Sequence, residues 1–438
     1  MTPDKNTFCS SPWLHVKIAT DGGFKQCRWG KVTDPKYNIR TTSIAEYFNS
    51  DEMRALRKDL LEGRTVDFCS NCHYEDANNN LSGRKMQLFR SKLDSPDSDF
   101  TASPHINMFE YSDANDGHTL ETPIDLQVDL ENTCNASCIM CVPKSSSRVK
   151  ADHVKLHKII PELIELPGKE DYHWAANQDL LSKFASELST FPNLDYMQLL
   201  GGEPFILDSF FDICEQLIST GKAKQMIIGT TINCSILTER ALKIIPEFKG
   251  FHLGLSIEAV GPLNDYVRYP SMIGDVLATI NAVKQLKDTT PSLALQVRIT
   301  PNIFTIYYID ELIQFILDNN LHAETCHILY RPSWLRVELL PPNLRQIAID
   351  KLNAVAVRNG LIRAEVVANQ RDKKNLKQVQ SNTVYGFIDL LTNFVVPDNV
   401  EQERRNLVKS LMAYESLRKN SILDYAPEFT DFLKKYGY

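Results

Sequence analysis

The chain is short of positive charge, of long apolar runs, and of most motifs that announce an enzyme class. Its 48 Lys and Arg against 55 Asp and Glu leave a net charge of -7. That balance disfavours a general nucleic-acid or anionic-membrane surface, because both need a cationic excess. No nucleic acid and no membrane is therefore expected among the partners. No uninterrupted apolar stretch approaches the roughly 18–20 residues needed to cross a bilayer. Met1 to Pro12 lacks the basic-then-apolar pattern of a secretory signal, so a cytoplasmic location is expected. The chain has no P-loop, no G-x-S-x-G nucleophile elbow and no His pair at i, i+4 enclosing a Glu. Repeats and low-complexity tracts are missing too.

What is present in quantity is cysteine. Ten of them in a reducing compartment are unlike a disulfide framework, and their clustering points to metal or redox chemistry. With 438 residues, 43% apolar and 24% charged, the chain is expected to fold as two or three soluble globular domains.

The organisation divides into four stretches. Residues 1–90 hold four cysteines and a helix signalled by the capping-box sequence Ser43-Ile44-Ala45-Glu46. Its apolar face continues through Met53, Leu56, Leu60 and Leu61 to a stop at Gly63. Residues 91–122 turn polar and read as a linker. Residues 123–340 alternate strand and helix patterns. Strands are predicted at 124–130, 196–200, 226–229, 251–257, 293–300 and 323–329, with helices such as 207–219, 273–287 and 309–319 between them. Six strands alternating with helices imply parallel pairing with right-handed crossovers. Chemistry in such domains gathers at the carboxyl ends of the strands. Residues 341–438 read as mostly helical and carry no assignable motif.

Just after the first predicted strand of that domain lies Cys134-Asn-Ala-Ser-Cys138-Ile-Met-Cys141, a C-x3-C-x2-C triplet. Three thiolates this close in sequence can face one centre only from a loop that wraps it. Three ligands on a four-iron cubane leave one iron open, whereas sealed electron carriers normally use four. Buried thiols or a zinc site are the alternatives, although zinc favours paired C-x2-C knuckles. Gly201-Gly202-Glu203-Pro204 follows the second strand; by itself it reads as a βα turn, and glycines there allow close backbone approach to a ligand. Leu255-Ser256-Ile257-Glu258 ends the fourth strand, with Arg268 beyond it. A solvated surface charge is the plain reading of Arg268. Asn233 and Thr300 also fall at strand ends.

These three motifs, in this order, resemble the radical S-adenosylmethionine (SAM) superfamily, with Met140 where an aromatic residue is usual and Glu258 where Asp is usual. The resemblance implies an α/β fold with a partial (β/α)6 TIM-like barrel, and a catalytic 4Fe-4S cluster on Cys134, Cys138 and Cys141. It implies that Met140 packs near the adenine and that Gly201, Gly202, Glu203 and Pro204 hold the SAM amino group. Ser256 and Arg268 would hold the SAM carboxylate, with Glu258 approaching the ribose. The implied chemistry is reductive cleavage of SAM to a 5'-deoxyadenosyl radical that abstracts a substrate hydrogen. An external one-electron reductant such as a flavodoxin or ferredoxin is implied with it.

Cys9, Cys27, Cys69 and Cys72 form a second set. Their order resembles the auxiliary-cluster modules called twitch and SPASM, here placed before the core, which implies a small N-terminal domain holding an auxiliary 4Fe-4S cluster. Structural zinc is the alternative, and Cys69-x2-Cys72-His73 also spells the c-type haem signature, which generally requires export. Relatives bearing such modules often modify peptides, so a peptide or protein substrate is expected. The alternatives are dehydrogenation of a small sugar-like or alcohol substrate, and a non-enzymatic iron–sulfur electron carrier. Cys214 is expected to be inert core. Cys234 and Cys326 fall near strand ends, where burial competes with hydrogen-atom donation to a substrate radical.

Overall fold

The structure is a computed structural model. It describes every residue except 1–3, 5, 29, 31–34, 78–81, 94–98, 324–328 and 364–375, and for 376–379 the backbone alone.

The described strands form one seven-stranded sheet: β1 (His15–Ile18), β2 (Phe24–Lys25), β3 (Asp125–Asp129), β4 (Tyr196–Leu200), β5 (Ile227–Ile232), β6 (Gly250–Ser256) and β7 (Leu293–Arg298). Their spatial order is β2-β1-β3-β4-β5-β6-β7. Every pair from β1 to β7 is parallel, and only the hairpin β1–β2 is antiparallel. Helices occupy the crossovers, as parallel pairing demands. Five of the six predicted strands are therefore present, with β5 two residues longer than its pattern suggested and β7 two residues shorter. The sixth, 323–329, falls mostly outside the described residues; Ala323 makes an isolated parallel bridge to Val297.

The strict alternation in β3 has a physical outlet. Leu126 and Val128 are fully buried in the main core, while Gln127 and Asp129 line an internal cavity. The polar face of this strand borders that cavity.

The N-terminal stretch is shared between two cores. Val16, Ile18, Phe24, Tyr47, Phe48 and Met53 belong to the main core. Phe8, Trp13, Leu56, Leu60, Phe100 and Phe109 form a smaller one. Phe100 and Phe109 come from the stretch expected as linker, which instead carries a 3-10 turn (Phe100–Ala102) and a helix (Ile106–Ala114). Its run of polar residues hid two aromatics that close this second core.

The capping box at Ser43 is present: Glu46 N donates to Ser43 Oγ at 3.2 Å, and Ser43 N donates to Glu46 Oε2 at 2.7 Å. The expected single helix is broken, however, into Ile44–Phe48 and Asp51–Leu61. Asn49 leaves helical geometry and Ser50 caps the second helix by accepting from Met53 N. The buried Arg57 fills the break, donating to the carbonyls of Phe48, Pro12 and Gly117. Gly63, at φ +74°, ends the second helix as expected.

Beyond residue 341 the described chain is helical, with long helices at Pro342–Arg358, Leu376–Asn393 and Val400–Arg418. Among the described residues no helix is long and apolar enough to cross a membrane.

Candidate active site

The cysteine loop begins where β3 ends, and neighbouring backbone fixes its path. Gly202 N donates to Glu131 O at 2.8 Å, and Glu203 N donates to Thr133 O at 3.0 Å. A Cβ on Gly202 would stand 2.1 Å from Thr133 O, and one on Gly201 would stand 2.6 Å from the Leu207 side chain. Close approach was the right reason for glycine here, but Gly202 is approached by the backbone that leads into the cysteines. Further along, Ser137 N donates to Tyr269 O at 2.6 Å and Ile139 N to Val267 O at 2.9 Å. Ser137 Oγ donates to Asp152 Oδ2 at 2.6 Å. Arg418, buried at the end of the helix Val400–Arg418, donates to Ser137 O from one nitrogen and to Tyr266 O at 3.4 Å from another.

Held in this way, Cys134, Cys138 and Cys141 line one cavity of about 890 Å³. Met140, Gly201, Gly202, Glu203, Ser256, Glu258 and Arg268 border the same space, as do Asn233 and Thr300. Pro204 is the exception: it is buried and opens the short turn Pro204–Ile206. Lining residues come from the hairpin β1–β2 at one edge of the sheet and from Thr300, beyond β7, at the other.

Burial pushes the Cys134 thiol up to about 11 and the Cys141 thiol up to about 12, and raises Cys138 as well. Thiolates at these positions are therefore unfavourable without a compensating cation, which the core of an iron–sulfur cluster would supply. The Ala136 amide already points at Cys134 Sγ, 3.4 Å away.

Arg268 Nη1 donates to Glu258 Oε1 at 3.1 Å, and the other Glu258 oxygen accepts from Thr300 N at 2.8 Å. In this geometry Arg268 faces Glu258, where the resemblance had each facing a different part of SAM. Arg268 Nε is buried with no hydrogen-bond partner, so a donor remains for a carboxylate. Burial opposes charge on Arg268, but the surrounding Cys138, Glu258, Cys234 and Cys134 outweigh it and keep the guanidinium protonated. Glu203 is fully engaged, accepting from Asn233 N at 2.6 Å and Phe205 N at 3.2 Å. Burial lifts its carboxyl to about 7 despite those bonds and the nearby Arg268. Three half-buried thiols, an orphaned guanidinium N–H and a cavity at the strand ends fit a cluster with a bound amino acid moiety.

The second set also converges. Cys9, Cys27, Cys69 and Cys72 line a small cavity of about 30 Å³ with Arg84 and Gln87. Gly30 N donates to Cys27 Sγ at 3.1 Å. Burial raises Cys9, with the other three thiols as like-charged neighbours, and lifts Cys69 to about 12. Four thiols around one small space are the ligand count of a fully ligated cluster, and equally of structural zinc. Among the described residues, no three His, Cys, Asp or Glu are drawn in closely enough for a single metal ion. Cys214 and Cys234 are fully buried, and Cys326 lies outside the described residues.

Three groups escaped the sequence reading. Lys17 and Lys25 line the cavity from the hairpin, and Lys144 from just past the cysteine loop. Arg418 braces that loop from the C-terminal region, and Asn135 joins Asn233 at 2.7 Å and Ser235 at 2.8 Å. The alternation of His15-Val-Lys-Ile18 is too short to declare the hairpin, and no signal marked Arg418.

No protein-family profile and no curated protein matches this chain. Among solved structures, the chain is similar to native anSMEcpe with bound AdoMet, at 13% identity and a TM-score of 0.37, over 55% of this chain and 62% of that one. It thus spans less than two thirds of that protein's length. It is also similar to Streptococcus suis SuiB bound to S-adenosylmethionine, at 11% identity and a TM-score of 0.37, over 82% and 71% of the two chains. Against SuiB bound to its precursor peptide SuiA the values are 12% and 0.34, over 92% and 87%.

Proposed function

We propose that the chain is a radical SAM enzyme that modifies a peptide or protein. The observation that carries this reading is the convergence of Cys134, Cys138 and Cys141 with Gly201–Glu203, Ser256, Glu258 and Arg268 on one cavity at the carboxyl ends of the strands. When bound at the three thiolates, a 4Fe-4S cluster supplies one-electron cleavage of SAM and hence hydrogen abstraction from substrate. The chain's own part is positioning and exclusion of water. The three thiolates hold the cluster, and the clamp between residues 131–133 and 202–203 fixes their loop. Arg268, kept protonated, offers its free N–H to the SAM carboxylate, and Glu258 holds that guanidinium in place. The N-terminal thiols hold the second cluster in this reading, with an external reductant delivering electrons.

The test is anaerobic reconstitution followed by reduction with SAM present. About eight irons and eight sulfides per chain are expected for two cubanes, together with release of 5'-deoxyadenosine. Replacing Cys134, Cys138 and Cys141 by Ala should abolish that release and halve the iron. A protein that holds iron but never cleaves SAM is an electron carrier. Four irons plus one zinc would remove the auxiliary cluster.

A further inference from the structure

One group of charges in the cavity has no task in that reaction. Lys17 and Lys25 are directly opposite each other across the antiparallel pair β1–β2. Like charges so placed share one face and destabilise the pair. Lys17 is offset by Asp129 at 3.0 Å. The side chains of Lys25, half-buried, and Lys144, exposed on the turn Pro143–Ser145, make no ion pair or hydrogen bond with any described residue. Asp21 is the other acid near Lys25, and its Oδ1 accepts from Gly23 N at 3.0 Å. Arg40, also on the lining, is taken by Asp171 at 2.7 Å. All three lysines border the same cavity as the cysteines. The chain as a whole carries a charge of -7, and Asp21 and Glu170 also line the cavity, so the cationic character is confined to the neighbouring lysines 17, 25 and 144. Two ammonium groups without an ion-pair partner on the lining of this cavity have the chemistry to receive an anion.

We propose that Lys25 and Lys144, with Lys17 beside them, bind an oxyanion carried by the peptide substrate. The site therefore selects peptides with a carboxylate or a phosphate near the residue that reacts. This inference rests on the radical SAM reading for the meaning of the cavity, and it names the substrate class that reading leaves open.

The experiment uses reconstituted holoenzyme with SAM and three fluorescein-labelled hexapeptides, of glutamate, of glutamine, and of glutamine with one phosphoserine, read by fluorescence anisotropy. At least one anionic peptide should bind roughly tenfold or more tightly than the glutamine peptide, as expected for one charged hydrogen bond. Tighter binding of the glutamate peptide makes the natural anion a carboxylate; tighter binding of the phosphoserine peptide makes it a phosphate. The double variant Lys25→Gln, Lys144→Gln should lose the preference, and Lys25→Arg, Lys144→Arg should keep it, which separates lost charge from lost folding. Changing Lys224, already paired with Glu247 at 3.1 Å, should leave it intact. Equal binding of all three peptides, or a preference that survives in the Gln variant, overturns the proposal. Wild-type release of 5'-deoxyadenosine is measured alongside: release without anion preference sinks the lysine site alone, and anion preference without release sinks the radical SAM reading alone.

Discussion

At the scale of single residues, Glu203 shows how a motif can be legible while its task is not. Its place after two glycines marked it as a ligand-facing residue, yet both its oxygens accept backbone N–H groups from within the fold. With a folded pKa lifted to about 7, the protonated carboxyl favours the folded state below the ordinary Glu value, and that contribution fades as pH rises through 7. In Glu203→Gln one amide N–H must face a backbone N–H, a cost of roughly 1–3 kcal/mol. The variant should therefore melt below wild type at pH 5, with the gap narrowing by pH 8; a gap that widens would contradict the assignment. Gly202 was readable for a related reason, because only an absent side chain permits the approach to Thr133. The sequence alone could not say that the approaching atoms would be protein rather than ligand, since that depends on two loops meeting.

At the scale of elements, the long periodic strands were legible and the bracing between elements was not. β3, β4, β6 and β7 follow alternation or apolar runs that local patterning reveals. The helix break at Asn49 was hidden, because the apolar spacing continues across it and only the Arg57 contacts explain the interruption. The role of Val400–Arg418 was hidden too: a single Arg at a helix end carries no signature. Arg418 nonetheless donates to the carbonyls of Ser137 and Tyr266 and so ties the cysteine loop to the neighbouring helix. Arg418→Ala leaves those buried acceptors unpaired, at roughly 1–3 kcal/mol. Under the proposed function, reconstituted Arg418→Ala should keep iron at the N-terminal thiols while losing it from the cysteine-loop site on gel filtration. Full iron retention would show that the loop holds without this brace.

At the scale of the whole molecule, the sequence suggested a small N-terminal unit preceding the sheet, and the register shows β1 hydrogen-bonded along β3 from His15–Asp125 to Ile18–Val128. Four residues are too few for alternation to declare a strand, so this continuity was invisible beforehand. It carries an expectation for dynamics. Hydrogen exchange at the amides of β1 should be slow and should share the protection of β3, as members of one cooperative sheet do. Fast exchange in β1 beside slow exchange in β3 would mean that the N-terminal stretch opens independently.

The clamp between residues 131–133 and 202–203 constrains how related chains can vary. Each loop sets the length of the other, so an insertion or deletion in either would pull an N–H from its acceptor. Indels among homologues should therefore avoid both loops and collect in the largely exposed stretch 165–169, which makes no hydrogen bond to either loop.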